Sequence, residues 1–257
     1  MGFNDTNIRW TDSTWNPVHG CCKSGSPGCA NCYAERVSRK FGNTDKPWLP
    51  ENATENVQLK DHYLSDRLGE PKWCFVNSMS DLFHSEVPNS FVSSVFDVLR
   101  DMDKCAFQIL SKHGPDNERE IPHPPDNVMV GVSVGHPEWR YRIDWLRDQP
   151  AATKFVSFEP LVDCIPDVDL SGIDWAIIGG ESGPKHRPMK SAWARNLIRA
   201  CRRQDVAVFF KQHSDRQTET RQTIEYRGEK RRIEEFPETP AGVIPKPQKH
   251  MTEPPTL

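Results

Sequence analysis

The chain has 257 residues and sets 33 Lys or Arg against 36 Asp or Glu, a net charge of −3 that gives it no global attraction for a polyanion. Hydrophobic residues make up 36%, and no stretch approaches the roughly 20 apolar residues of a membrane span, so no membrane partner is expected. The opening MGFNDTNIRW lacks the apolar core of a signal peptide, which predicts a cytoplasmic protein.

The length suits one main domain over residues 10–213. Residues 10–16 predict a short first strand ending at Pro17. A loop follows that carries Cys21, Cys22, Cys29 and Cys32 among Gly20, Gly25, Pro27 and Gly28. Cys-x-x-Cys inside a Gly/Pro loop is a ligand spacing rather than a packing one. Beyond it, Ala34, Val37 and Phe41 recur at the spacing of one helical face, so the thiols stand at a helix start. Residues 42–70 read as an excursion. Apolar runs then predict strands at 72–79, 105–110, 128–134, 155–158, 175–178 and 206–210. Helices are expected after Pro88, after Pro137 and from Ser191. Cys74, Cys105, Cys164 and Cys201 stand singly in apolar segments and read as reduced core residues. Residues 214–236 form a charged extension with a possible hairpin around Arg227-Gly228-Glu229. Residues 237–257 hold six prolines and read as a flexible tail.

Strands alternating with helices predict an α/β fold: a complete or partial β/α barrel of six to seven parallel strands, with a doubly wound open sheet as the other possibility. Either architecture places function at the strand C-termini. Those ends carry Asn77-Ser78, Lys112, Ser133, Glu159, Gly179-Gly180-Glu181-Ser182 and Lys211. Loop capping is the ordinary role of Ser78 and Ser133. A carboxylate directly after an apolar strand, as at Glu159 and Glu181, needs a partner or a ligand. The glycines of GGESG are expected to let a small ligand approach the backbone. Between Lys185 and Gln204 stand seven Lys or Arg and no acid, which suits a phosphate-binding margin for a nucleotide or nucleic-acid substrate.

Two centres suit the thiols. A closed zinc site would take Cys29 and Cys32 with both Cys21 and Cys22, or with one of them and His19. An iron–sulfur cube can be held by three cysteines, leaving one iron open.

The ordered motifs WTDSTWNPVHGC, SPGCANCYAERV, SDLFHSEVP, GVSV, FVSFEPL, DWAIIGGESGPKHRPM and VFFKQ, from about Trp10 to Pro237, resemble a phage-associated three-cysteine family of uncharacterised, radical-SAM-like proteins. The resemblance implies a β/α barrel with a [4Fe–4S] cluster on Cys29, Cys32 and either Cys21 or Cys22. It further implies S-adenosylmethionine on the open iron, an external electron donor, and hydrogen abstraction from a substrate by a 5′-deoxyadenosyl radical. In that scheme Tyr33 lies near the adenine, and Glu159 or Glu181 binds the amino group or ribose. Lys112 or Lys211 holds a carboxylate or phosphate. Asn77, Ser78, Ser133, Gly179, Gly180 and Ser182 complete the cofactor-binding rim. The alternatives are a zinc-binding nucleic-acid module without redox chemistry and a non-catalytic iron–sulfur protein.

Overall fold

The computed structural model describes residues 2–251. Its centre is an eight-stranded sheet in which spatial order follows chain order. The strands are β1 (Phe3–Asp5), β2 (Ser13–Trp15), β3 (Trp73–Val76), β4 (Ala106–Ser111), β5 (Val128–Ser133), β6 (Thr153–Phe158), β7 (Trp175–Gly179) and β8 (Ala207–Gln212). Only β1 pairs antiparallel; β2 through β8 form seven parallel strands, all at or near the expected positions. Among the described residues no ladder joins β1 to β8.

The period-two alternation of β-strands gives each face its own core. Cys74, Val76, Phe107, Ile109, Val130, Val132, Val156, Ala176, Ile178 and Val208 point to the helix-covered face. There they meet α2 (Asn89–Arg100), α4 (Tyr141–Asp148) and α5 (Ser191–Arg203), whose Phe91, Val95, Leu99, Ile143, Leu146, Leu197 and Ile198 are buried. α3 (His113–Asp116) is a single turn. The other face carries Trp73, Phe75, Ala106, Met129, Phe155, Trp175, Ile177 and Phe209. Gly131 makes room on that face, since a Cβ there would stand 2.5 Å from the Phe155 ring.

The proline-rich stretch departs from the expected tail. Residues 237–251 pack onto the aromatic face through Val243 and Ile244, following Phe236. Trp175 Nε1 donates to the Glu235 carbonyl and Trp73 Nε1 to that of Ile244, both at 2.9 Å. The physical reason is the aromatic layer itself: two buried indole N–H groups need acceptors, and apolar residues between the prolines cover the rings. Residues 252–257 of the expected tail lie outside the described residues. The expected hairpin forms as β9 (Ile224–Tyr226) and β10 (Glu229–Arg231), turning on Arg227 and Gly228 with φ of 54° and 81°. Ile224 and Tyr226 are buried in the helix-side core.

Two local expectations also change. α1 (Tyr33–Lys40) buries Ala34 and Ser38 rather than Ala34, Val37 and Phe41, and Phe41 is 69% exposed just past the helix end. In the excursion LKDHYLSDRL makes only a 3-10 turn at Asp61–Ser65. No described helix is long and apolar enough to cross a membrane. Cys74, Cys105 and Cys201 are buried free thiols and Cys164 is half-buried.

Candidate metal centre

The cysteine loop lies over the C-terminal ends of the parallel strands. Gly20 bridges Ser80 past β3, and its positive φ of 75° suits glycine, as does a backbone oxygen 1.9 Å from where a Cβ would sit. Farther along, Arg142 Nη2 donates to Ser24 Oγ at 3.4 Å, and Arg187 Nη2 donates to the Pro27 carbonyl at 2.7 Å. Asn31 Nδ2 donates to Glu181 Oε2 at 3.2 Å and to the Lys185 carbonyl at 3.1 Å. Tyr33 Oη donates to the Ser78 carbonyl at 2.5 Å. The loop thus shares one rim with Glu159 and Glu181. Cys21, Ala34 and Trp48 give it a small core of its own.

Three of the thiols, Cys21, Cys22 and Cys32, are raised, each with Cys29 among the causes. Burial, then the Asp81 carboxylate and the thiolates of Cys29, Cys22 and Cys32, push the Cys21 thiol well above its usual range. Burial and then Cys29 raise Cys22. Burial raises Cys32 against the α1 N–H groups and Lys112, with Cys29 adding to the rise. Thiols clustered this way ionise when a cation is among them, because the cation outweighs both burial and mutual repulsion.

Two histidines that the sequence reading did not assign to the metal meet Cys21, in a set that does not include Cys22, Cys29 or Cys32. His84 sits in the SDLFHSEVP turn past β3, and His113 follows β4. Cys21, His84 and His113 are buried, and one donor atom from each lies within 4.8 Å of the other two, a set that could hold a metal ion. Cys22 Sγ is 3.1 Å from His84 Nε2, and Cys21 Sγ is 3.4 Å from His113 Nε2. Burial and then His113 push His84 down to about 4, so its ring is neutral at pH 7. The rings carry their protons at defined atoms. His84 Nδ1 accepts the Glu86 N–H at 3.1 Å, which leaves Nε2 protonated and facing sulfur. His113 Nε2 lies 2.8 Å from the Cys22 carbonyl, a donor geometry again. His19, the histidine of the zinc expectation, is instead held in a short ladder against Gln58 with its ring 6.1 Å from that of Tyr63. It is not in the group.

Asp81 organises this floor. Its buried carboxylate accepts Ser111 Oγ at 2.8 Å and the N–H groups of Phe83, Lys112 and His113 at 3.0, 2.7 and 3.0 Å. Burial works to raise the carboxyl, but His113 and these donors outweigh it and hold it below the usual carboxylate range.

The other predicted rim residues fall into two groups. Glu159, Lys211, Lys112, Tyr33, Ser78 and Ser133 come together around the loop. Lys211 Nζ is 2.7 Å from Glu159 Oε1 and 3.7 Å from Glu219 Oε1. Burial opposes the ammonium, and the two carboxylates outweigh it to raise Lys211 above its usual value. Among the described residues, buried Ser133 Oγ, Asn77 Oδ1 and Gln108 Nε2 have no hydrogen-bond partner, although Asn77 Nδ2 donates to Ser80 Oγ at 2.5 Å.

Gly179, Gly180 and Glu181 are otherwise engaged. A Cβ on Gly179 would meet Glu159 Cδ at 3.2 Å, and one on Gly180 would stand 2.3 Å from Ser214 N, so the chain's own atoms fill the approach expected for a ligand. Glu181 is clamped by Arg187, which donates from its backbone at 2.8 Å and from Nε at 2.9 Å and Nη2 at 2.5 Å. Ser182 bridges Asp215. Glu181 and Arg187 therefore tie the GGESG loop to the cysteine loop.

A family model described as protein of unknown function (DUF5131) matches residues 5–240. The chain belongs to that family. No curated protein and no solved structure matches the chain. The DUF5131 match spans β2 to β8, the cysteine loop, both histidines and the start of the C-terminal segment.

Proposed function

We propose that the chain is a radical enzyme of the S-adenosylmethionine type, holding a [4Fe–4S] cluster on Cys29, Cys32 and one of Cys21 or Cys22. The observation that carries the reading is a loop bearing four free cysteines at the C-terminal rim of a parallel sheet, with His84 turning its Nε2–H toward Cys22 Sγ and His113 Nε2 3.4 Å from Cys21 Sγ. Such donors fit sulfur atoms around a cluster, where hydrogen bonds help to set the potential. The cluster when bound would supply the electron that cleaves a carbon–sulfur bond of S-adenosylmethionine, and an external donor would reduce it. The residues of the chain bind and orient. Glu159, with Lys211 beside it, is placed to take the amino group or ribose of the cosubstrate, and Tyr33 lies at the loop's edge for the adenine. Lys112, whose charge reaches Cys32, suits the cosubstrate carboxylate. The sheet reads as a partial barrel: spatial order follows chain order, and the C-terminal segment fills the face opposite the helices.

A zinc reading rests on the Cys21–His84–His113 set, three ligands with an open position. It requires both Nε2 atoms to give up the protons that their partners assign to them. Oxygen-free purification followed by iron, sulfide and zinc analysis and a visible spectrum separates the two. A brown protein that bleaches with dithionite and yields 5′-deoxyadenosine from S-adenosylmethionine supports the proposal. A colourless protein with stoichiometric zinc ends it.

A further inference from the structure

The basic run is divided by the fold. Arg187 is used by Glu181, and Arg202 by Glu235. Arg195, on the first turns of α5, enters a cleft of about 460 Å³ between that helix and the β9–β10 hairpin. Arg221 and Lys230 line the same cleft, with His213 at its base and Ser191 at the helix start. Among the described residues neither Arg195 nor Lys230 forms an ion pair, and Arg221 donates only to the Ser214 carbonyl at 3.4 Å. Glu225 is the acid on the lining; it stands opposite Lys230 in the hairpin register without bridging it.

We propose that this cleft binds phosphate groups of the substrate, a nucleotide or a polynucleotide strand. Three cations from three separate segments converge on one concavity, in a chain whose net charge is negative. Their fields meet at His213, where burial and then Arg221, Arg195 and Lys230 lower the imidazole against the Thr223 carbonyl. Convergent positive charge of this kind is unfavourable when empty and focuses an anion when open to solvent. Ser191, at the α5 start, lines the same concavity, and the Lys190 cap makes no side-chain hydrogen bond there. The cleft lies on the same side of the sheet as the cysteine loop, past the strand C-termini. His213 directly follows β8, and the segment from Gly180 to Lys190 runs from the Glu181 clamp on the cysteine loop into α5. A phosphate held there would anchor a substrate whose reacting part lies over the thiols. The inference deepens the proposed function by naming the substrate class, but the cleft's chemistry is testable without it.

The test compares the full-length protein with the double variant Arg195→Gln/Lys230→Gln. A labelled single-stranded oligonucleotide is followed by anisotropy, and a nucleoside monophosphate by calorimetry, both in about 50 mM salt, where phosphate contacts are strong. Wild type is expected to bind, and the variant to bind at least about tenfold more weakly, with the slope of log K against log salt shallower by about 0.7 for each lost contact to a single strand. Tighter binding of the oligonucleotide assigns a polynucleotide. Equal or tighter binding of the monophosphate assigns a free nucleotide. Equal affinity of variant and wild type, or no saturable binding of either probe to wild type, overturns the site. Metal content and visible spectrum are measured on the same samples, so that failure of the metal reading and failure of the cleft are told apart.

Discussion

His84 presents Nε2 to Cys22 Sγ at 3.1 Å while its Nδ1 accepts the Glu86 amide. That pair of contacts makes the ring a donor to sulfur. Under the proposed cluster, with Cys22 as its first ligand, His84→Leu is therefore expected to leave iron in place and to lower the cluster potential, on the order of 60 mV for a tenfold change in a one-electron equilibrium. Redox titration of the anaerobic protein reads this out. Loss of the metal itself would instead mark His84 as a ligand.

Glu181 is held below its usual range because the Arg187 and Asn31 hydrogen bonds outweigh burial, which alone would raise it. Its folded value lies under its unfolded one, so its contribution is complete above the unfolded value near 4.3 and fades as pH falls through the folded one. Glu181→Gln is expected to lose about 2 kcal/mol at pH 7. Urea unfolding of both proteins across pH should show that difference shrinking below pH about 4. A difference that stays constant with pH would refute the assignment. Unchanged affinity of Glu181→Gln for S-adenosylmethionine would fit a clamp on the loop rather than a cosubstrate ligand.

Lys211 neutralises both Glu159 and Glu219, and burial and Glu159 already raise Glu219 against the pull of Lys211. Lys211→Met takes from Glu159 and Glu219 the ammonium they share and is expected to cost about 3–5 kcal/mol. Adding Glu159→Gln should recover part of that loss. Additive losses in the double variant would show that the two side chains do not share an interaction.

Gly180→Ala places a Cβ against the Ser214 amide, a backbone atom that cannot swing aside. An expected loss of about 1–3 kcal/mol should appear in thermal unfolding of protein without cosubstrate. Wild-type stability combined with weakened S-adenosylmethionine binding would instead restore the glycine to a ligand-facing role.

Much of the fold was legible because buried parallel strands are continuous apolar runs: KWCFVNSM, CAFQIL, VMVGVSV and WAIIGG mark β3, β4, β5 and β7 with little ambiguity. The strand-end rule likewise brought Lys112, Glu159, Glu181 and Lys211 to the rim of the cysteine loop. What spacing could not give was pairing across the chain. Glu181 and Arg187 are six residues apart, but their joint hold on Pro27 and Asn31 is a tertiary fact. His84 and His113 each stand alone in sequence, 29 positions apart, and meet only because β3 and β4 are neighbours. The signal that could have found them was the end of each strand, since His113 directly follows Lys112 and His84 lies in the SDLFHSEVP motif past β3. The proline-rich stretch was misjudged for a different reason. Its apolar residues have no period, since they cover a layer of rings rather than forming a helix or strand.

That covering stretch has a bearing on where the domain ends. Without residues 235–250, Trp73, Trp175 and Phe209 have no lid, and two indoles lack the acceptors they use in the finished protein. A chain cut before this stretch would leave the aromatic floor open to water and to its neighbours, so the covering stretch is part of the folding unit and not an appendage to it.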